Sequence, residues 1–106
     1  MALHHLNPRE KIHLPSLDGP GDVKTSALVK TDRFEAVELV LRTGDEIPSH
    51  AVPGYATVHC LQGVVVIEAA GRVQLSAGDW LYLDRGRPHS VAALEDSSVL
   101  VTILFD

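Results

Sequence analysis

The sequence predicts an all-β domain, a sandwich or barrel of short strands. From Phe34 onward, apolar residues alternate or run in short β-branched blocks, and no stretch carries a helical period. Glycine, proline and aspartate interrupt those blocks, as at Gly44, Pro48, Ala70-Gly71, Gly78-Asp79 and Gly86-Arg87-Pro88. The strands between them are short and nothing helical joins them, which favours a sandwich or barrel over a βαβ sheet.

Phe34 to Arg42 is expected as the first strand, with Val37, Leu39 and Leu41 on one face and Ala36 and Val40 on the other. Gly44 and Pro48 end it. Tyr55 to Gln62 is a second strand, and Val64 to Ala69 a third. Ala70-Gly71 turns the chain into a short return strand, Val73 to Leu75. Trp80 to Leu83 follows the Ala77-Gly78-Asp79 turn. Ser90 to Leu94 follows the Arg85-Gly86-Arg87-Pro88 loop. Ser97-Ser98 separates it from a last strand, Val99 to Phe105. Residues 1–33 read as an irregular N-terminal extension packed on the barrel or on a partner subunit. Pro8, Pro15, Gly19, Pro20, Gly21 and Asp22 punctuate it, while Ile12-His13-Leu14 and Ala27-Leu28-Val29 offer edge strands. Residues 34–106 are the expected barrel.

A chain of 106 residues suits one domain with a core of its own. No apolar run approaches the roughly 20 residues of a membrane-spanning helix. The N-terminal Met-Ala-Leu-His-His-Leu lacks the apolar run of a signal peptide, and the one cysteine, Cys60, cannot form an internal disulfide. A cytoplasmic protein is therefore expected. Fourteen acidic residues oppose nine basic ones, for a net charge of −5, and the basic residues are scattered. No patch could track a phosphate backbone, so nucleic acid is not an expected partner.

Two strands are apolar on both faces: Val64-Val65-Val66-Ile67 and the run from Val99 to Phe105. A strand with one face in water alternates instead. A second copy of the chain would cover the surplus, so a homodimer is expected.

The glycines and histidines of this stretch resemble the two motifs of the cupin family. The first motif runs glycine, histidine, histidine, glutamate, glycine; Gly44, His50 and Gly63 match it at the family's spacing, while Val52 and Ala56 stand at the second histidine and the glutamate. In the second motif Gly78, Gly86 and His89 match, while Asp84 stands at the proline and Ala93 at the asparagine. The resemblance spans roughly Phe34 to Phe105. It implies a jelly-roll barrel, the double-stranded β-helix of RmlC-like cupins. It also implies a pocket holding His50 and His89, with Val52, Ala56, Val58, Cys60, Val91 and Ala93 along its walls. In this family three histidines and a glutamate hold a divalent transition metal such as Mn, Fe, Ni or Zn. This chain keeps two of those four, so the implied metal is weakly held or absent.

Even spacing would keep His50, Val52 and Ala56 on one strand face. His59 is a further candidate ligand, although alternation turns it away from His50 unless a bulge intervenes. Cys60 is in phase with Val52 and Ala56 and reads as a buried, inert thiol. His4, His5 and His13 form a looser histidine group near the N-terminus. Trp80 and Tyr82 alternate on one strand as packing or interface aromatics. Arg85 and Arg87 read as solvated loop arginines able to meet an anion, and Asp45 and Glu46 as solvent-facing.

Three functions fit this reading. The chain is a binding or sensing module for a small molecule, a metal-dependent oxygenase, isomerase or lyase acting on a small organic acid, or a metal-free acid–base enzyme such as an epimerase.

Overall fold

The computed structural model describes residues 5–15 and 24–105. The remarks above on His4, Gly19, Pro20, Gly21 and Asp22 fall outside the described residues. Nine strands appear among the described residues: β1 (Lys24–Lys30), β2 (Phe34–Leu41), β3 (Glu46–His50), β4 (Tyr55–Gln62), β5 (Val64–Glu68), β6 (Arg72–Ser76), β7 (Trp80–Leu83), β8 (His89–Ala93) and β9 (Ser97–Leu104). They form two antiparallel sheets, one of five strands in the order β1-β2-β9-β4-β7 and one of four in the order β3-β8-β5-β6. This is the all-β jelly roll.

Alternation in β2 explains how the sheets close on each other. Val37, Leu39 and Leu41 enter the core, opposite Val101, Val99 and Ser97 of β9. On β4 the inward residues are Ala56, Val58 and Cys60; on β5, Val65 and Ile67; on β8, Val91 and Ala93. Leu41, Cys60, Val65, Ile67 and Val99 are fully buried. Cutting a side chain such as Ile67 back to alanine in this core costs about 2–5 kcal/mol. The opposite face of β2 carries Glu38, buried beside Ser98 of β9, whose hydroxyl donates to Glu38 Oε2 over 2.7 Å. Val66, on the second face of β5, is also buried but lies outside the core cluster.

The edge strand offered at Ala27-Leu28-Val29 is β1, longer than expected, whereas β3 escaped the sequence reading. β1 runs the length of β2 and is the edge of the five-stranded sheet, so the sheet begins at Lys24. Its first residues, Lys24, Thr25 and Ser26, are polar, and a bulge between Ala27 and Val29 breaks its period. Ile12 to Leu14, by contrast, is not a strand. β3 passes straight through Pro48, where a chain break was expected. Pro48 lacks an N–H, and the β3–β8 register shifts between Ile47 and His50 to accommodate it.

His50, Val52 and Ala56 do not share a strand face. His50 ends β3 in the four-stranded sheet, while Ala56 lies on β4 in the five-stranded one. Residues 51–54, with Pro53 and Gly54, turn the chain from one sheet to the other.

Gly63, between β4 and β5, takes φ = +84°. A Cβ there would overlap Ser97 Oγ and the carbonyl oxygen of Asp96. Only glycine meets both conditions. The same close approach lets the Val64 N–H donate to Ser97 Oγ over 3.0 Å.

Candidate functional site

His50 closes β3 and His89 opens β8, and the two are partners in the ladder between those strands. Their rings stand 4.5 Å apart between centroids, tilted by 53°. His89 is buried at 4% exposure, whereas His50 is exposed, so the pair reaches from the core to the surface.

Each ring is held in the same way. His50 Nδ1 lies 3.0 Å from the Pro48 carbonyl oxygen, and His89 Nδ1 lies 3.1 Å from that of Arg87. A carbonyl can only accept, so Nδ1 carries the proton in both rings. In the neutral ring Nε2 is then the unprotonated nitrogen, a lone pair able to accept a hydrogen bond or bind a cation.

The loop that carries the Arg87 carbonyl is closed by Asp84, which stands at the proline position of the second motif. Arg87 donates to both oxygens of Asp84, Nε to Oδ1 at 3.0 Å and Nη2 to Oδ2 at 3.1 Å. That pairing holds the Asp84 carboxyl below the usual carboxylate range. Arg85 lies over the Tyr55 ring, 5.2 Å from its centroid. Asp45 has a structural task as well: its carboxylate accepts the Arg42 N–H over 2.8 Å and closes the turn into β3. Glu46 is exposed.

Beside the two imidazoles lies a cavity of about 280 Å³ between the sheets. It is slightly smaller than typical small-molecule sites, which run from about 300 to 1,000 Å³. Val37, Leu39, Val58, Val101 and Ile103 line it from the five-stranded sheet; Ile47 and Val91 line it from the other, and Val52 from the crossing segment. Of the wall residues named from sequence, Val52, Val58 and Val91 therefore lie on the cavity. Ala56, Cys60 and Ala93 pack in the core and are not part of its lining. Burial raises the Cys60 thiol above its ordinary value.

His59 lies on the opposite face of β4 from Val58 and Cys60, with Trp80 and Leu100 as its ladder partners. The bulge on β4 falls between Cys60 and Gln62, beyond His59, and so does not turn it inward. His5 and His13 are exposed. Among the described residues, no group of three or more His, Cys, Asp or Glu side chains comes together as a metal site. The donors present are thus two imidazoles, with valine and alanine where two further ligands would stand. They do not make up the four-ligand centre.

Two polar residues on the cavity were not singled out in the sequence: Thr25 of β1 and Glu35 of β2. Phase held the signal for Glu35, since it is two and four residues from the inward Val37 and Leu39.

Trp80 and Tyr82 are exposed at 61% and 53%, which removes them from the core. Tyr82 stacks against Tyr55, 6.2 Å between ring centroids. No helix among the described residues is long and apolar enough to cross a membrane.

The family model described as a cupin domain matches residues 37–105. No curated protein matches the chain. Many solved structures are similar, among them three that match over nearly the whole chain. A cupin superfamily protein from Desulfitobacterium hafniense superposes with a TM-score of 0.84 at 23% identity, covering 100% of both chains. A conserved protein of unknown function from Streptococcus pyogenes gives 0.79 at 24% identity, covering 100% of this chain and 98% of the other. An RmlC-like cupin protein from Desulfovibrio desulfuricans gives 0.72 at 23% identity, covering 96% of each. At these identities the likeness is one of fold.

Proposed function

The chain belongs to the cupin family, and on that premise we propose that it is a small-molecule-binding cupin with His50 and His89 as its polar centre. The observation that carries this reading is the shared tautomer. Both Nδ1 atoms are tied to backbone carbonyls, so both Nε2 atoms are bare on rings that line one apolar cavity. Aliphatic walls suit an apolar body, and the two lone pairs fix the orientation of a ligand that offers a donor. Among the described residues no third His, Cys, Asp or Glu side chain joins the pair closely enough to share a metal, so a divalent transition metal would be held weakly. That disfavours the metal-dependent oxygenase, isomerase or lyase reading, since Val52 and Ala56 cannot coordinate.

Long-range proton–nitrogen NMR of the untagged protein tests the assignment directly. Both imidazoles are expected as the Nδ1–H tautomer, and small polar fragments that enter the cavity should shift both sets of signals. A protonated Nε2 on either ring in the free protein would overturn the reading.

The same bare nitrogens favour a second reading, metal-free acid–base chemistry. One imidazole would take a proton from a bound carbon acid and return it. Uptake of deuterium from D2O into such a compound, lost in both His50→Gln and His89→Gln, would distinguish an enzyme from a binding module. A cytoplasmic, reducing setting goes with either reading, given one buried free thiol at Cys60.

A further inference from the structure

The cavity's polar lining is unusual in its sign. Four polar side chains reach it: His50, His89, Thr25 and Glu35. Both histidines present acceptors, and ionised Glu35 is acceptor-only. Among the described residues, no lysine or arginine is part of the lining. Glu35 is half-buried on β2, between Lys30 and Ile103 in the ladder, and no hydrogen bond or ion pair among the described residues engages its carboxylate. Its carboxylate is the one acidic side chain among the described lining residues, and a cation that enters the cavity can meet it.

We infer that Glu35 selects the ligand: the cavity takes a small primary ammonium compound with an apolar body, its cationic head on the Glu35 carboxylate and its body along the aliphatic walls beside the imidazoles. This rests on the pocket reading above and deepens it. An ammonium group has three donors and no acceptor, which complements a lining of acceptors. A carboxylate ligand would face Glu35 with like charge, with no lysine or arginine in the described lining to offset it. The chemistry therefore points away from the small organic acids expected among the substrates of a metal-dependent relative.

Three probes of nearly one shape separate the terms: cyclohexylammonium, cyclohexanol and cyclohexanecarboxylate. Each is titrated into the full chain at neutral pH and followed by the imidazole signals of His50 and His89. Cyclohexylammonium should bind about tenfold more tightly than cyclohexanol, with cyclohexanecarboxylate weakest. In Glu35→Gln, the ammonium compound should lose its advantage over the alcohol. Glu35→Asp, which keeps the charge, should keep the order of the three. If the alcohol binds but the ammonium compound binds no better, or if Glu35→Gln keeps the preference, the role of Glu35 is overturned and the pocket stands. If none of the three moves the imidazole signals, the pocket reading falls and this inference falls with it.

Discussion

His50 and His89 are ladder partners with rings 4.5 Å apart, each pinned through Nδ1 to the carbonyl two residues before it. The shared geometry comes from adjacent strand ends and local backbone, and needs no metal to set it. Such an arrangement leaves the pair ready for additional donors.

Val52→His should therefore raise affinity for zinc or nickel by at least about tenfold over the parent, because Val52 lines the same cavity. Ala56→Glu is a different case. Ala56 is 1% exposed and packed in the core. Glutamate there overpacks the site at a cost of about 1–3 kcal/mol, and more while it is charged and unpaired. The double variant should melt below the single one without metal and recover only if metal binds. Calorimetric titrations and melting curves on the parent, the single variant and the double variant check this. Unchanged metal affinity in folded Val52→His would show that position 52 cannot reach the imidazoles.

Gly63→Ala and Gly44→Ala should differ sharply. Both glycines have positive φ, +84° and +89°, but a Cβ on Gly44 meets nothing within 4 Å. Gly44→Ala should cost only the left-handed strain, about 1–2 kcal/mol. Gly63→Ala adds the overlap with Ser97 and Asp96 and should cost about 3 kcal/mol or more, enough to threaten a fold of ordinary stability. Urea denaturation of the two variants reads the difference directly.

Acid should weaken the fold partly through Asp96. Its carboxylate accepts the Thr43 N–H over 2.9 Å and the Thr43 hydroxyl and Arg42 at 3.1 Å, which together hold its pKa below the usual carboxylate value. A lowered folded-state value stabilises above the unfolded pKa, about 3.9. That contribution is lost as pH falls from there through the folded value. Asp96→Asn should accordingly be less stable than the parent at neutral pH, and the gap should close on acidification below about pH 4. A gap that stays constant across that range would show that the ionised carboxylate contributes nothing.

The outer face of the five-stranded sheet should hold a second copy of the chain. Trp80, Tyr82 and Leu104 are its exposed apolar residues, and β7, which carries the first two, is an edge strand with one side of its backbone unpaired. An edge strand can meet its own copy antiparallel across a two-fold axis, and the aromatics would then be buried against each other. Sedimentation equilibrium at micromolar concentration should give a dimer mass, and Trp80→Asp should shift it to the monomer. A monomer in the parent ends the argument.

Much of this architecture was legible in the residues. Inward alternation in β2 and β4 was plain from Val37, Leu39, Leu41 and Cys60, because burial on one face imposes period two. The placing of Gly44, Gly63, Gly78 and Gly86 was legible too, since each adopts the positive φ that makes glycine favourable there. β3 was not, because Pro48 reads as a stop and only a partner strand shows that the ladder tolerates it. Nor was the passage between sheets at residues 51–54. Even spacing says which way a side chain points only while the strand continues, and Pro53-Gly54 ends that continuity before Ala56. Glu35 was overlooked for a simpler reason: a lone glutamate in a strand reads as solvent-facing until its phase with Val37 is counted.

The crossing at residues 51–54 has a mechanical consequence. The imidazoles belong to one sheet and Glu35 to the other, so anything that touches both spans the seam of the sandwich. Occupancy would act as a rivet, damping the separation of the two layers near β1 and β3, each the outermost strand of its own sheet. The pocket would then report its contents as stiffness at that margin: slower amide exchange along two edge strands, without any change in the path of the chain.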